Sequence, residues 1–207
     1  MKTKKMLTLA LAAAMALTVT VSVAAEEIEL TPASPEGQTE VTAKIVGAAG
    51  DVSYIITIPD VVDFGVLSQP DNDTEDHFAD KAYKVTAKQI TGMNPDEQQV
   101  GVYVKNQGAT VGGDPKFYIT NKADSSKSFY YDIYDCPAAQ IADNTANINA
   151  NAMPYAIGYK LVGFSETGEE VNGTLRLNQN QLYGLNIAEY VGDYSGYMVF
   201  YSMIEDI

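Results

Sequence analysis

The chain has 207 residues, with 27 Asp and Glu against 13 Lys and Arg, a formal net charge of −14, one His, one Cys and no Trp. Such a length suits one large domain or two small ones. Its acidity disfavours nucleic acid and anionic membrane surfaces as partners. The single cysteine excludes an intramolecular disulfide, and the single histidine excludes a His-pair metal centre.

Residues 1–25 read as a secretory signal peptide. Lys2, Lys4 and Lys5 lead an apolar run over residues 6–23, and Ser22, Ala24 and Ala25 supply the small residues of a cleavage site before Glu26 and Glu27. Three of the 13 basic residues and none of the 27 acidic ones lie in this segment, so the mature chain carries ten basic residues and a net charge near −17. A secreted or cell-surface location is expected, with no membrane association after cleavage. Residues 203–207 carry neither a sorting signal nor an apolar tail, so attachment to a cell is expected to be non-covalent or to arise by assembly. Residues 26–38, containing Pro32, Pro35 and Gly37, read as a flexible leader ahead of a domain at 39–207.

Along that domain the dominant pattern is period-two alternation, the signature of half-buried strands. It begins at Val41, Ala43 and Ile45, continues at Val52, Tyr54, Ile56 and Ile58, and recurs at Tyr83, Val85 and Ala87 and at Val100, Val102 and Val104. Phe117 and Ile119 follow, then Phe129, Tyr131 and Ile133, then Tyr155, Ile157, Tyr159 and Leu161. Leu175 and Leu177, then Tyr183, Leu185 and Ile187, and finally residues 197–204 complete about ten expected strands. Turn residues separate them, as at Gly112-Gly113-Asp114-Pro115. No segment between them holds a helical stripe. The expected fold is an all-β antiparallel sandwich of immunoglobulin-like, Greek-key character. Residues 67–80 and 135–153 depart from the pattern and read as surface insertions, the second with a short helix near residues 138–142.

The chemistry-bearing candidates are few. Asp71, Asp73, Glu75 and Asp76 cluster in the first insertion and read as a solvated charge run or, in the alternative, as calcium ligands, although Asp76 and Ala82 stand where an EF-hand needs Gly and Glu. His77 in the same loop reads as solvated rather than catalytic. Cys136, among Asp132, Asp135 and Asp143, reads as an inert thiol, because neighbouring carboxylates oppose a thiolate. No catalytic residue and no organic cofactor site is expected. Tyr130 and Tyr134 alternate with Phe129, Tyr131 and Ile133, so they would face outward as a recognition surface or a cross-strand pair.

Two runs carry a resemblance. YIITIPDVVDFG over residues 54–65 resembles the extended strand, Ile-Pro and Phe-Gly opening of many Gram-positive cell-surface modules, and GDYSGYMVFY over residues 192–201 resembles the entry to their final strand. Both are similar to immunoglobulin-like and fimbrial-adhesin-like sandwiches, the WxL surface proteins among them. The Trp-x-Leu motifs of that group are absent, so its wall-binding mode is not carried over. The resemblance implies a non-enzymatic surface module for adhesion or pilus-like assembly, with a protein or glycan ligand. The alternative is a secreted carbohydrate-binding module or carbohydrate-active enzyme.

The final strand, residues 197–204, is apolar on both faces, which places it in a core or beside a surface needing cover. The leader bears a short alternation, Ile28 and Leu30. Residues 26–40 therefore read either as a disordered tether on a monomeric sandwich or as a self-assembly segment, added as a strand to a neighbouring copy.

Overall fold

Alternation becomes pairing wherever one strand face can be buried. The computed structural model describes residues 52–142 and 145–207. The expected signal peptide, the expected leader, the expected strand at Val41 to Ile45 and Asp143 lie outside the described residues.

Among the described residues there are nine strands in two antiparallel sheets, with only short 3₁₀ turns as helix. The strands are β1 (Ser53–Thr57), β2 (Phe78–Thr91), β3 (Gln98–Asn106), β4 (Phe117–Asn121), β5 (Ser128–Tyr134), β6 (Tyr159–Phe164), β7 (Glu170–Asn178), β8 (Tyr194–Ser195) and β9 (Met198–Asp206). One sheet has the order β1-β2-β7-β5-β4-β8 and the other β6-β3-β9. The chain therefore crosses between layers at β2–β3, β3–β4, β5–β6, β6–β7 and β8–β9, and a sandwich results rather than a meander. The all-β antiparallel expectation holds.

The core lies between these layers. Tyr83, Val85 and Ala87 of β2, Phe129, Tyr131 and Ile133 of β5, and Leu175 and Leu177 of β7 face Val102 and Val104 of β3 and Tyr159, Leu161 and Phe164 of β6. In β2, β3, β5 and β7 these residues have the spacing that places alternate side chains on one face, while in β6 the register shift opposite Val102/Tyr103 changes the inward parity between Leu161 and Phe164. Burial lifts the Tyr83 hydroxyl well above the ordinary tyrosine range, with the Asp135 charge adding to it. That hydroxyl donates to the Tyr134 carbonyl at 3.0 Å.

Three expectations are corrected. Residues 183–187 form no strand. Asn178 accepts a hydrogen bond from the Asn180 amide and starts a 3₁₀ turn at Gln179–Leu182, Gly184 takes a positive φ of 73°, and a second turn follows at Ile187–Glu189. Residues 155–158 form a tight turn closed by a Tyr155–Gly158 bridge, and the strand starts only at Tyr159.

The 135–153 segment is not a surface insertion, because Asn149 and Met153 are buried. β4 covers β5 only as far as Tyr131. Beyond it, the Ile148 amide donates to the Ile133 carbonyl at 2.9 Å and the Ile133 amide donates to Asn149 Oδ1 at 2.9 Å. Asn149 Nδ2 donates to the Pro115 carbonyl at 3.0 Å, tying the entry of β4 to the same point. The expected helix there is one 3₁₀ turn at Ala138–Gln140.

Candidate functional site

The acidic loop is built before β2. Asp71, Asp73, Glu75 and Asp76 are all exposed. Asn72 turns the chain by accepting from the Thr74 amide at 3.1 Å, while Asn178 donates to Asp76 at 2.8 Å and Asn180 to the Glu75 carbonyl at 2.9 Å. Among the described residues no three His, Cys, Asp or Glu side chains converge as a metal-ligand group. Calcium at these four carboxylates would require the loop to rearrange. His77 differs from the solvated histidine expected there, because its Nε2 is buried without a hydrogen-bond partner. Cys136 is a free, half-buried thiol whose carbonyl accepts from Thr174 Oγ1 at 2.8 Å.

Tyr130 and Tyr134 do not form an open recognition face. Lys116 Nζ sits 3.9 Å from the Tyr130 ring centre, and Tyr130 lies directly opposite Tyr118. Tyr134 has the Arg176 guanidinium 5.9 Å from its ring, and Arg176 is itself forked onto Asp80 by two 2.7 Å bonds. Both tyrosines belong to cross-strand and cation–π packing.

The open aromatic and aliphatic surface lies on the three-stranded sheet. Met198 and Phe200 of β9 pack on the core, and the alternate residues Val199, Tyr201 and Met203 are 37%, 48% and 38% exposed. Tyr201 stands opposite Tyr103 of β3. Tyr155 meets Tyr103 edge-on with ring centres 6.1 Å apart, so the outer face presents two exposed tyrosines, Tyr155 and Tyr201, with the buried Tyr103 between them. Beside them Tyr103 donates to Glu205 Oε2 at 2.5 Å and Lys160 lies 2.5 Å from Oε1. The hydrogen bond to Glu205 pushes the Tyr103 hydroxyl up to about 12. Burial raises the Glu205 carboxyl, but the Lys160 and Tyr103 hydrogen bonds outweigh it and hold that carboxyl below its usual range.

Edge strands usually carry devices against unwanted pairing, such as Lys, Pro, bulges or short length. β1 has a register shift at Ile55/Ile56 and Pro59 just beyond it. β6 carries Lys160 and pairs through a shift at Val102/Tyr103. β8 has two residues. β9, nine residues long, pairs only with β3 among the described residues and has neither Lys, Pro nor a register break along its length. Its acidic residues, Glu205 and Asp206, fall at the far end. The contact from β1 is the Tyr54 hydroxyl, which donates to the Ser202 carbonyl at 3.0 Å. Sequence reading found the two-sided apolar character of this strand; it did not find the edge position, which depends on sheet order.

No protein-family model and no curated protein matches the chain. Among solved structures, one chain from a chaperone–tip adhesin complex in CFA/I fimbriae biogenesis is similar, with a TM-score of 0.44 and 14% identity. The match covers 72% of this chain and 40% of that one, so this chain spans well under two thirds of its length. So distant a likeness carries no functional argument. Among the described residues no helix is long and apolar enough to cross a membrane.

Proposed function

We propose that this protein is a non-enzymatic extracellular module for adhesion or surface assembly, and that copies join by adding an extended segment to the edge of β9. The supporting observation is that edge: a nine-residue strand with exposed Val199, Tyr201 and Met203 and without the devices that blunt the other edges. Strand addition supplies main-chain hydrogen bonds for affinity and alternate side-chain sites for specificity. The proposed occupant is residues 26–40 of a neighbouring copy. Ile28 and Leu30 of that segment are two residues apart, so both would fall on one face of an added strand.

Amide hydrogen exchange tests this reading. In the chain starting at Glu26, β9 amides directed away from β3 should become protected as concentration rises. In the chain starting at Glu40 they should exchange freely at every concentration. Equal exchange in both refutes strand donation by the leader.

A further inference from the structure

The corner where β4, β8 and the start of β9 meet holds an open cleft of about 410 Å³, within the size range of small-ligand sites. Its floor follows from strand register. Thr120 of β4 stands directly opposite Ser128 of β5 on one side and Ser195 of β8 on the other, so three hydroxyl-bearing residues form a row. Neighbours in such a row lie about 5 Å apart, on the scale of one sugar ring. Phe117 is buried and Ile119 packs against the core, which puts Tyr118 and Thr120 on the opposite face of β4.

Two tyrosines wall the cleft, and they differ in role. Tyr118 is fixed, because its hydroxyl donates to Asp114 at 2.6 Å. Tyr197 is 43% exposed. Gly196 brings the β8–β9 connection against β4, where a Cβ would strike the Tyr118 carbonyl oxygen. Any larger residue would push Tyr197 away from the row. Asn106 completes the wall with Nδ2 on the Lys116 carbonyl at 3.3 Å, leaving its carbonyl oxygen to accept, and Gln107 beside it is exposed.

No residue lining this cleft is ionised, on a chain with a net charge of −14. The field of the whole chain repels anionic ligands. A cation would find no lining carboxylate. An extended peptide needs a longer template than the two residues of β8. Hydroxyls and amides beside a tyrosine face suit a ligand that has an apolar C–H face and many neutral donors and acceptors.

We propose that this cleft binds a neutral saccharide, with Tyr197 stacking on the ring and Thr120, Ser128, Ser195 and Gln107 bonding its hydroxyls. The inference rests on the adhesive part of the reading above and supplies its ligand class. It does not depend on strand donation.

The test titrates the isotope-labelled chain starting at Glu26 with lactose, cellobiose, mannobiose and chitobiose, followed by amide chemical shifts. At least one sugar should move the Thr120, Ser195 and Tyr197 signals saturably at concentrations up to about 20 mM, where a millimolar site is nearly full. Y197A and T120V should each weaken that binding about tenfold or more with unchanged melting temperature, and Y183A should leave it alone. The proposal is overturned if none of the four sugars moves these signals, or if binding survives both Y197A and T120V. Strand donation is read separately: oligomers without saccharide shifts sink only this inference, and saccharide shifts in a chain that stays monomeric sink only the assembly.

Discussion

Replacing Asn149 by alanine would remove two buried hydrogen bonds with one small change. The Ile133 amide would lose its acceptor at 2.9 Å and the Pro115 carbonyl its donor at 3.0 Å, beside a side chain that is 2% exposed. Leaving one buried polar group unpaired costs about 1–3 kcal/mol. Two orphans, partly relieved by relaxation, put the loss near 2–4 kcal/mol, or roughly 5–15 °C of melting temperature for a domain of this size. Urea denaturation with an unchanged m-value, read with a thermal melt, measures it directly. Exchange of the Ile133 amide should accelerate in parallel. A loss below about 0.5 kcal/mol, the range of an ordinary surface change, would refute the claim that the 135–153 segment seals the uncovered end of β5.

Three further outcomes follow from the edge, the charged cluster and the loop. Y54F removes the donor to the Ser202 carbonyl and should cost about 1 kcal/mol in urea denaturation while leaving the β9 edge more open to association. The Glu205 carboxyl is depressed in the folded state, so its contribution is complete above the unfolded value of 4.5 and is lost as pH falls through the lower folded value. Melting curves from pH 6 to pH 3 should therefore drop less in E205Q than in the parent chain, and parallel curves would refute the role given to Lys160 and Tyr103. Calcium at Asp71, Asp73, Glu75 and Asp76 is proposed on their sequence spacing; binding would raise the melting temperature as calcium passes its dissociation constant, and an unchanged melt at millimolar calcium removes the idea.

Much of the architecture was legible in the residues, and the departures have physical causes. Tyr83-Val85-Ala87 and Phe129-Tyr131-Ile133 alternate strictly because one face of each strand meets the opposite sheet. Tyr183, Leu185 and Ile187 mimic that alternation, but the Asn178 cap and Gly184 turn the backbone, and local turn chemistry outweighs the period. Asn149 lies in a polar Asn- and Ala-rich stretch whose composition reads as solvated; only the end of β4 at its pairing with Tyr131 leaves a gap for it to fill. The cleft was hidden for a similar reason. Thr120, Ser128 and Ser195 are unremarked singly, and their row exists only because β4 pairs with both β5 and β8. The β9 edge shows the same limit, since its apolar faces were visible in residues 197–204 while its neighbours were not.

The central claim, that β9 accepts a strand from the leader of another copy, is tested most directly by comparing the chain starting at Glu26 with the chain starting at Glu40 by size-exclusion chromatography and electron microscopy across a range of concentrations. A parallel sample carrying V199K and M203K places charges on the exposed face of β9. The account predicts oligomers or filaments from the longer chain alone, lost when the two lysines are present. Monomers from both chains at high concentration with equal melting temperatures, or identical assembly with and without the leader, would contradict it.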